Sequence, residues 1–457
     1  MFLMKNKIVL FLAGCLVLLM NSCLGSDDAE YAIPKNCQIT SFTLKNDSVP
    51  ELSKVDFTID QLDGRIFNID SMAYGTEIEK VVCTVNFASG TAQVQVIQEA
   101  VGDTIPWNGT DSLDFSKPVK FITYSYDGQF SKTYLAQVNI HQVVPDSMVW
   151  SLYADKVTGL SIDEEKVVAF NVNSSDYYYM YVKPATDKSY KLYRSATLDA
   201  KKWDELSLSG LPDNEIRLSQ ITEYEGILYA PGTKGIVYQS VDGQNWSVLD
   251  NTPVVKYLLG GVKEGGISQP SALATIIDKD GTLKFAAMDK SQNWTEGNIV
   301  PVNFPVTGFG SATHSIMYKE RLTVACGRTG NGQLSNTVWA TMNATSWAIL
   351  SDEGTDVLVP SEGAMLSRYD DKFFLIGGID AAGKPSKTIY NSIDNGVTWS
   401  EIDSMVVLPE SYKARGFSSV LVDKEKYMLI FGGKTSNNSN VLDEIWRGRI
   451  NRLGFKD

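Results

Sequence analysis

Two arginines, Arg217 and Arg415, the carboxylate of Glu362, the amide of Gln269 and either Thr313 or His314 occupy matching places in successive units of the second half of the chain. Each sits where the start of an inner strand is expected. Guanidinium forks, a carboxylate and an amide that converge on one point can grip a sugar or a carboxylated ligand. A solvated channel with compensating charges is the other reading of the same positions. Bond-breaking chemistry finds less support. Two histidines in 457 residues, His141 and His314, exclude a site that needs several imidazoles together. The net charge of −13, from 41 Lys and Arg against 54 Asp and Glu, argues against a nucleic-acid partner, because affinity for phosphate backbones rests on clustered cations. No metal or cofactor is implied.

The elements that must position these residues are announced by tryptophan. Trp150, Trp203, Trp246, Trp294, Trp347 and Trp399 fall at intervals of 53, 43, 48, 53 and 52 residues. An internal period of this length marks a repeat architecture. Around each mark the same order recurs, as in Val237-Tyr238-Gln239-Ser240-Val241-Asp242-Gly243-Gln244-Asn245-Trp246 and Ile389-Tyr390-Asn391-Ser392-Ile393-Asp394-Asn395-Gly396-Val397-Thr398-Trp399. Upstream lie apolar strands that end in paired glycine, Phe373 to Gly378 and Met428 to Gly433, with Val324-Ala325-Cys326-Gly327 as an altered copy. Between marks there is room for three strands, and each tryptophan begins a fourth. The segment after Trp399 therefore lacks its outermost strand, and Met148-Val149-Trp150-Ser151-Leu152 is the spare that should dock there, beside residues 441–450. Tyr177-Tyr178-Tyr179 with Tyr181 look like a stacking platform, although their alternation predicts a half-buried strand.

Residues 36–145 alternate apolar and polar positions in short runs, from Ile39–Leu44 to Tyr134–Val144, with Asp127-Gly128 as a hairpin turn. Period two broken by Gly, Asp and Asn predicts an antiparallel sandwich. Cys37 and Cys83 fall in this module, and their spacing leaves a bridge between them open; Cys326 reads as a core filler. Ahead of the module, Lys5 and Lys7 precede the apolar run Ile8 to Met20, which is too short to span a bilayer and has the form of a secretory leader.

Several resemblances extend this reading. Leu19-Met20-Asn21-Ser22-Cys23 resembles a lipobox, which implies cleavage after residue 22 and lipid attachment at Cys23. The acidic stretch Ser26-Asp27-Asp28-Ala29-Glu30 resembles the export signal of Bacteroidetes surface lipoproteins, so residues 23–35 are expected to be a tether and the outer membrane the address, its outer face exposed. The net charge without the leader is −15 (39 against 54), so acyl chains, not lipid headgroups, would supply attachment. Asp114-Phe115-Ser116, Tyr124-Ser125-Tyr126-Asp127-Gly128 and Tyr134 resemble the Ig-like modules of such proteins, which implies a spacer. Asp followed by Ser or Thr at positions 48, 71, 104, 112, 147 and 404 resembles their O-glycosylation sequon.

The double glycine, aromatic strand and tryptophan resemble the kelch repeat, and Ser392-x-Asp394-x-Gly396-x-Thr398-Trp399 matches the Asp-box of sialidase-like propellers. The implied fold is all-β: an Ig-like sandwich over residues 36–145, then a six-bladed kelch- or sialidase-like β-propeller over residues 146–457. No sialidase catalytic set maps onto this chain, and a galactose-oxidase copper site is excluded because the propeller holds His314 alone. Sialic-acid epimerases share the six-bladed shape, so an isomerase stays open. The expectation is a lipid-anchored surface protein that binds a glycan or another surface protein through Arg217, Gln269, His314, Glu362 and Arg415, without catalysis. A glycoside hydrolase or sugar epimerase, and a scaffold or adhesin, are the alternatives.

Overall fold

A computed structural model describes residues 35–451 apart from 198, 267 and 353–356; the leader and Cys23 lie outside the described residues. The chain divides into two compact units, with the boundary between Val144 and Pro145. In the first unit, a three-stranded sheet (Ile39–Lys45, Val81–Phe87, Ser112–Leu113) faces a six-stranded one. The larger sheet runs Phe57–Asp60, Arg65–Asn68, Ser131–Gln137, Val119–Ser125, Thr91–Gln98, Asp103–Pro106. Alternation does the work here: Val119, Phe121, Thr123 and Ser125 point inward, and Phe121 meets Phe42 of the opposite sheet edge-to-face at 5.8 Å.

The sheets are not wholly antiparallel, as the alternation predicts. Arg65–Asn68 runs parallel to Ser131–Gln137. A parallel neighbour needs a long crossover, so no local turn signal betrays it. Asn68 pins the pair: its side chain donates to the Asn139 carbonyl at 3.0 Å and accepts the Asn139 amide at 2.6 Å. Cys37 and Cys83 are both buried, and neither forms a disulfide.

The second unit contains, among the described residues, six sheets of four or five strands and one two-stranded pair. The first sheet is Ile162–Val172, Ser175–Pro184, Lys191–Ala196 and Asp204–Leu206; the second is Thr222–Tyr224, Ile227–Pro231, Val237–Ser240 and Ser247–Val248. The third is Val255–Val262, Ala272–Lys279, Thr282–Met288 and Trp294–Ile299. The fourth opens with Pro305–Thr307 and Gly310–Ile316, followed by Lys319–Thr329, Leu334–Thr341 and Ala348–Ser351. The fifth is Met365–Tyr369, Lys372–Ile376, Ile389–Ser392 and Ser400–Glu401. The sixth takes Ser419–Val422, Met428–Phe431 and Glu444–Ile450, and its outer strand is Met148–Asp155 from the start of the unit, with Trp150 opposite Gly448. The spare strand thus docks where the strand count requires.

The first strand of each sheet touches that of the next, and the sixth touches the first. Each neighbouring pair of sheets shares its own apolar core. A strand clamped between two such cores is buried on both faces. The tyrosine run shows this. Tyr179 and Tyr181 pack on the second sheet and Tyr178 and Met180 on the sixth, so these tyrosines are neither a stacking platform nor half-buried.

The tryptophan turns recur for a local reason. Ser392 donates to Asp394 at 2.8 Å, and Asp394 accepts the Thr398 amide at 2.9 Å and its hydroxyl at 2.6 Å. Gly396 bends the turn at φ +97°, and Trp399 folds back to donate to its carbonyl. Ser240, Asp242 and Gly243 repeat the arrangement before Trp246. The paired glycine after the fifth sheet's second strand answers a close approach: a Cβ on Gly377 would strike the Arg415 carbonyl.

Candidate functional site

A cavity of about 610 Å³ opens where the first strands of the sheets begin. The first sheet brings Glu164, Glu165 and Lys166 at the start of its inner strand and Lys183 at the end of the next. Arg217 stands just ahead of a 3-10 turn, Leu218–Gln220, with its amide donating to the Pro231 carbonyl at 3.0 Å. The fourth sheet adds Phe309 and Arg328, and the segments ahead of the fifth and sixth add Glu362 and Phe417. Lys434 and Asn437 come from the loop between the last two strands.

Charge is the distinctive property of this lining. Five cations (Lys166, Lys183, Arg217, Arg328, Lys434) face three carboxylates (Glu164, Glu165, Glu362), in a chain whose net charge is −13. Most of the pairing is internal. Arg328 holds Glu362 in a two-pronged fork at 2.5 and 2.9 Å, and Asn437 donates to the same carboxylate at 3.1 Å. Asp163, just outside the lining, takes Lys183 at 2.9 Å and Lys434 at 3.5 Å. Among the described residues no carboxylate pairs with Arg217. Its guanidinium lies 5.1 Å over the Tyr257 ring, and its buried Nε has no hydrogen-bond partner.

Burial tunes the rest. Loss of hydration pushes Lys166 down to about 8 and raises the Glu165 carboxyl to about 8, with Asp443 adding repulsion to the latter. One carboxylate oxygen of Glu165 is buried without a partner. Desolvation also raises Glu164, against the pull of Lys183. The arrangement can hold an anionic group on Arg217 and Lys166. Among the described residues of the lining, the serines (Ser219, Ser418, Ser419) have no imidazole beside them, so a Ser–His pair is not assembled here.

Of the five positions expected to line this mouth, Arg217 and Glu362 do so. Gln269 lies elsewhere. The third unit carries its double glycine, Gly260-Gly261, in the inner strand rather than after the second, and Gln269 falls after that inner strand, in the hairpin that leads to the second. There it donates to the Glu320 and Met342 carbonyls at 2.5 and 2.9 Å and accepts the Glu320 amide. His314 and Thr313 are in the fourth sheet's inner strand but past the mouth. Thr313 donates to the Gly261 carbonyl at 2.9 Å, and His314 packs on Phe373. Arg415 precedes the sixth inner strand, but its side chain turns into the interior. It is fully buried, pairs with Glu444 at 2.6 Å and lies 4.2 Å over Tyr412. Sequence reasoning missed Lys166, Lys183, Arg328 and Lys434, which sit at strand ends and in a loop outside the repeated signature. The run Asp163-Glu164-Glu165-Lys166 opening an apolar strand was the available signal.

Sheets arrayed around a ring with a ligand-sized mouth define a β-propeller. The chain belongs to the DUF6242 family: the DUF6242 beta propeller domain matches residues 144–457, and the DUF6242 N-terminal domain, a domain of unknown function, matches residues 34–138. No curated protein matches it. Among solved structures it is similar to YjhT, at 14% identity over 63% of this chain and 95% of that one, TM-score 0.42. It is also similar to a protein of unknown function from Dyadobacter fermentans, at 13% identity over 67% and 99%, TM-score 0.44. A six-bladed fucose-recognising lectin from Aleuria aurantia is similar at 13% identity over 64% and 93%, TM-score 0.39.

Proposed function

We propose that this protein is a lipid-anchored surface receptor whose propeller binds a small acidic glycan at its channel mouth without transforming it. The six sheets are read as six kelch- or Asp-box-like blades, the first unit as an Ig-like spacer, and Cys23 as the acylated residue that fixes the chain to the outer membrane. The carrying observation is the surplus of cations around a cavity of about 610 Å³, with Arg217 unpaired by any carboxylate among the described residues, in a chain of net charge −13. An anionic ligand supplies the charge that the fold withholds.

A carbohydrate-active enzyme using Glu362 is disfavoured by the fork that holds it. A carboxylate tied to Arg328 and Asn437 has little freedom to shuttle protons. Isothermal calorimetry with uronic-acid-containing against neutral oligosaccharides tests the reading. Acidic ligands should bind, neutral ones should not, and Arg217→Ala should weaken binding while no product accumulates. Equal binding of neutral sugars, or unchanged affinity in Arg217→Ala, sinks it. Metabolic labelling with a fatty acid, lost in Cys23→Ser, tests the anchor.

A further inference from the structure

The cleft between the fourth and fifth sheets gathers cations that the fold does not neutralise. Arg321 stands opposite His314 in the fourth sheet's first hairpin, and Arg368 opposite Phe373 in the fifth's. Both guanidinium groups converge on Asn395, in the tryptophan turn of the fifth sheet. Arg321 donates through Nη2 to the Asn395 carbonyl, and Arg368 through Nη1 to its side-chain oxygen at 3.1 Å. The Phe373 ring carries the third member: His314 meets it edge-to-face at 4.7 Å, and the Arg368 Cζ lies 5.4 Å above it. The cleft is not the mouth. His314 is five residues beyond Phe309 along the inner strand, about 17 Å at the rise of an extended chain.

The donors are left open. His314 is 6% exposed and, among the described residues, neither ring nitrogen has a hydrogen-bond partner; the Arg321 Nε is also buried and unpartnered there. Among the described residues no carboxylate pairs with Arg321 or Arg368; Asp371 acts on Arg368 only from a distance. Desolvation pushes both guanidinium groups below their ordinary range; Arg368 adds repulsion on Arg321, and Asp371 partly offsets the shift of Arg368. The corresponding place between the first and second sheets is filled without charge. There Tyr181 donates its hydroxyl to the Gly243 carbonyl at 2.7 Å. Two half-buried arginines and a buried histidine at one turn are costly unless a counter-charge joins them.

We infer that this cleft is a second binding site, for a sulfate- or phosphate-type oxyanion held by Arg321, Arg368 and a ring nitrogen of His314. Tetrahedral oxyanions accept from several directions, which suits guanidinium groups fixed on one residue from two sheets. The source is either the free inorganic ion or an ester group on a saccharide. Thermal-shift and calorimetric titrations of the full soluble chain with sodium sulfate and sodium phosphate, against sodium chloride at equal ionic strength, test the assignment. A sulfated disaccharide forms the second arm. Saturable binding of the inorganic ions alone identifies the free ion, and tighter binding of the sulfated disaccharide identifies the ester. Arg321→Met should weaken either by about tenfold or more, the loss of a charge-assisted hydrogen bond, and should do so equally in an Arg217→Ala background, which removes any contribution of the mouth. If Arg321→Met fails to fold, Arg368→Lys serves, keeping the charge but losing the fork, and should weaken binding several-fold. No difference between sulfate, phosphate and chloride overturns the inference, as does full retention of binding in Arg321→Met or Arg368→Lys.

Discussion

At the channel mouth the fold answers most of its cations itself: Arg328 is forked onto Glu362, and Lys183 and Lys434 share Asp163. In the cleft between the fourth and fifth sheets, Arg321 and Arg368 share only the neutral Asn395. The two regions use the same residue types with different partners, and the partners decide the role. A guanidinium closed by a carboxylate is a brace; one met only by a carbonyl or an aromatic face keeps donors for a ligand. Arg415, sealed onto Glu444, is the extreme of the first kind.

The comparison can be broken most forcefully at that extreme. Arg415→Met strands Glu444 in a half-buried position and should cost about 3–5 kcal/mol in urea unfolding, while ligand binding by the folded fraction is unaffected. A mouth that lost affinity instead would place Arg415 in the site after all.

The next effect is a pH slope from the cleft. Burial first, then Arg321 and Arg368, depress His314 to about 4 from an ordinary 6.5. Between those values the unfolded chain binds a proton that the folded chain refuses, so stability falls as pH is lowered through this window. The slope approaches about 1.4 kcal/mol per pH unit. His314→Phe should flatten it in acid-unfolding curves, and saturating sulfate should do the same in the wild type by letting the ring protonate.

A smaller change tests the turn on which both arginines lean. Asp394→Ala removes the acceptor of Ser392, Val397 and Thr398 and should cost roughly 1–3 kcal/mol, with sulfate binding impaired and acidic-glycan binding retained. The mildest is Arg217→Ala, which should leave the melting temperature within about a degree or two, as for a partly exposed side chain. It should weaken the acidic ligand about tenfold. It should also reduce the salt dependence of binding.

How much of this was legible varies with how local the cause is. The tryptophan turns were readable because every group that shapes them, from Ser392 to Trp399, lies within eight residues. The docking of Trp150 on the last sheet was readable too, since it follows from counting strands. Gln269 was misplaced because the third unit's double glycine, Gly260-Gly261, belongs to the inner strand and not to the second, which shifts the register by one strand. The inward turn of Arg415 depends on Glu444 and the Gly432 carbonyl, a sheet strand away, and no spacing reveals a side-chain direction. The cations of the mouth come from strand ends and loops that differ between sheets, so a search for repetition passes over them. The parallel pair in the first unit joins strands more than sixty residues apart and carries no turn signature.

The shared sixth sheet also sets an order of events during synthesis. Met148–Asp155 is made about 300 residues before Glu444–Ile450, the strand that covers its edge. At ordinary translation rates that interval is roughly 15–60 s. Until it ends, Val149, Trp150 and Leu152 sit on an unclaimed ribbon with open backbone donors and acceptors, the kind of segment that a holding chaperone recognises and that invites pairing between nascent chains. The last complete turn of the chain is therefore also its latch, and a ribosome that stops short of residue 444 releases a protein with both ends of its belt undone.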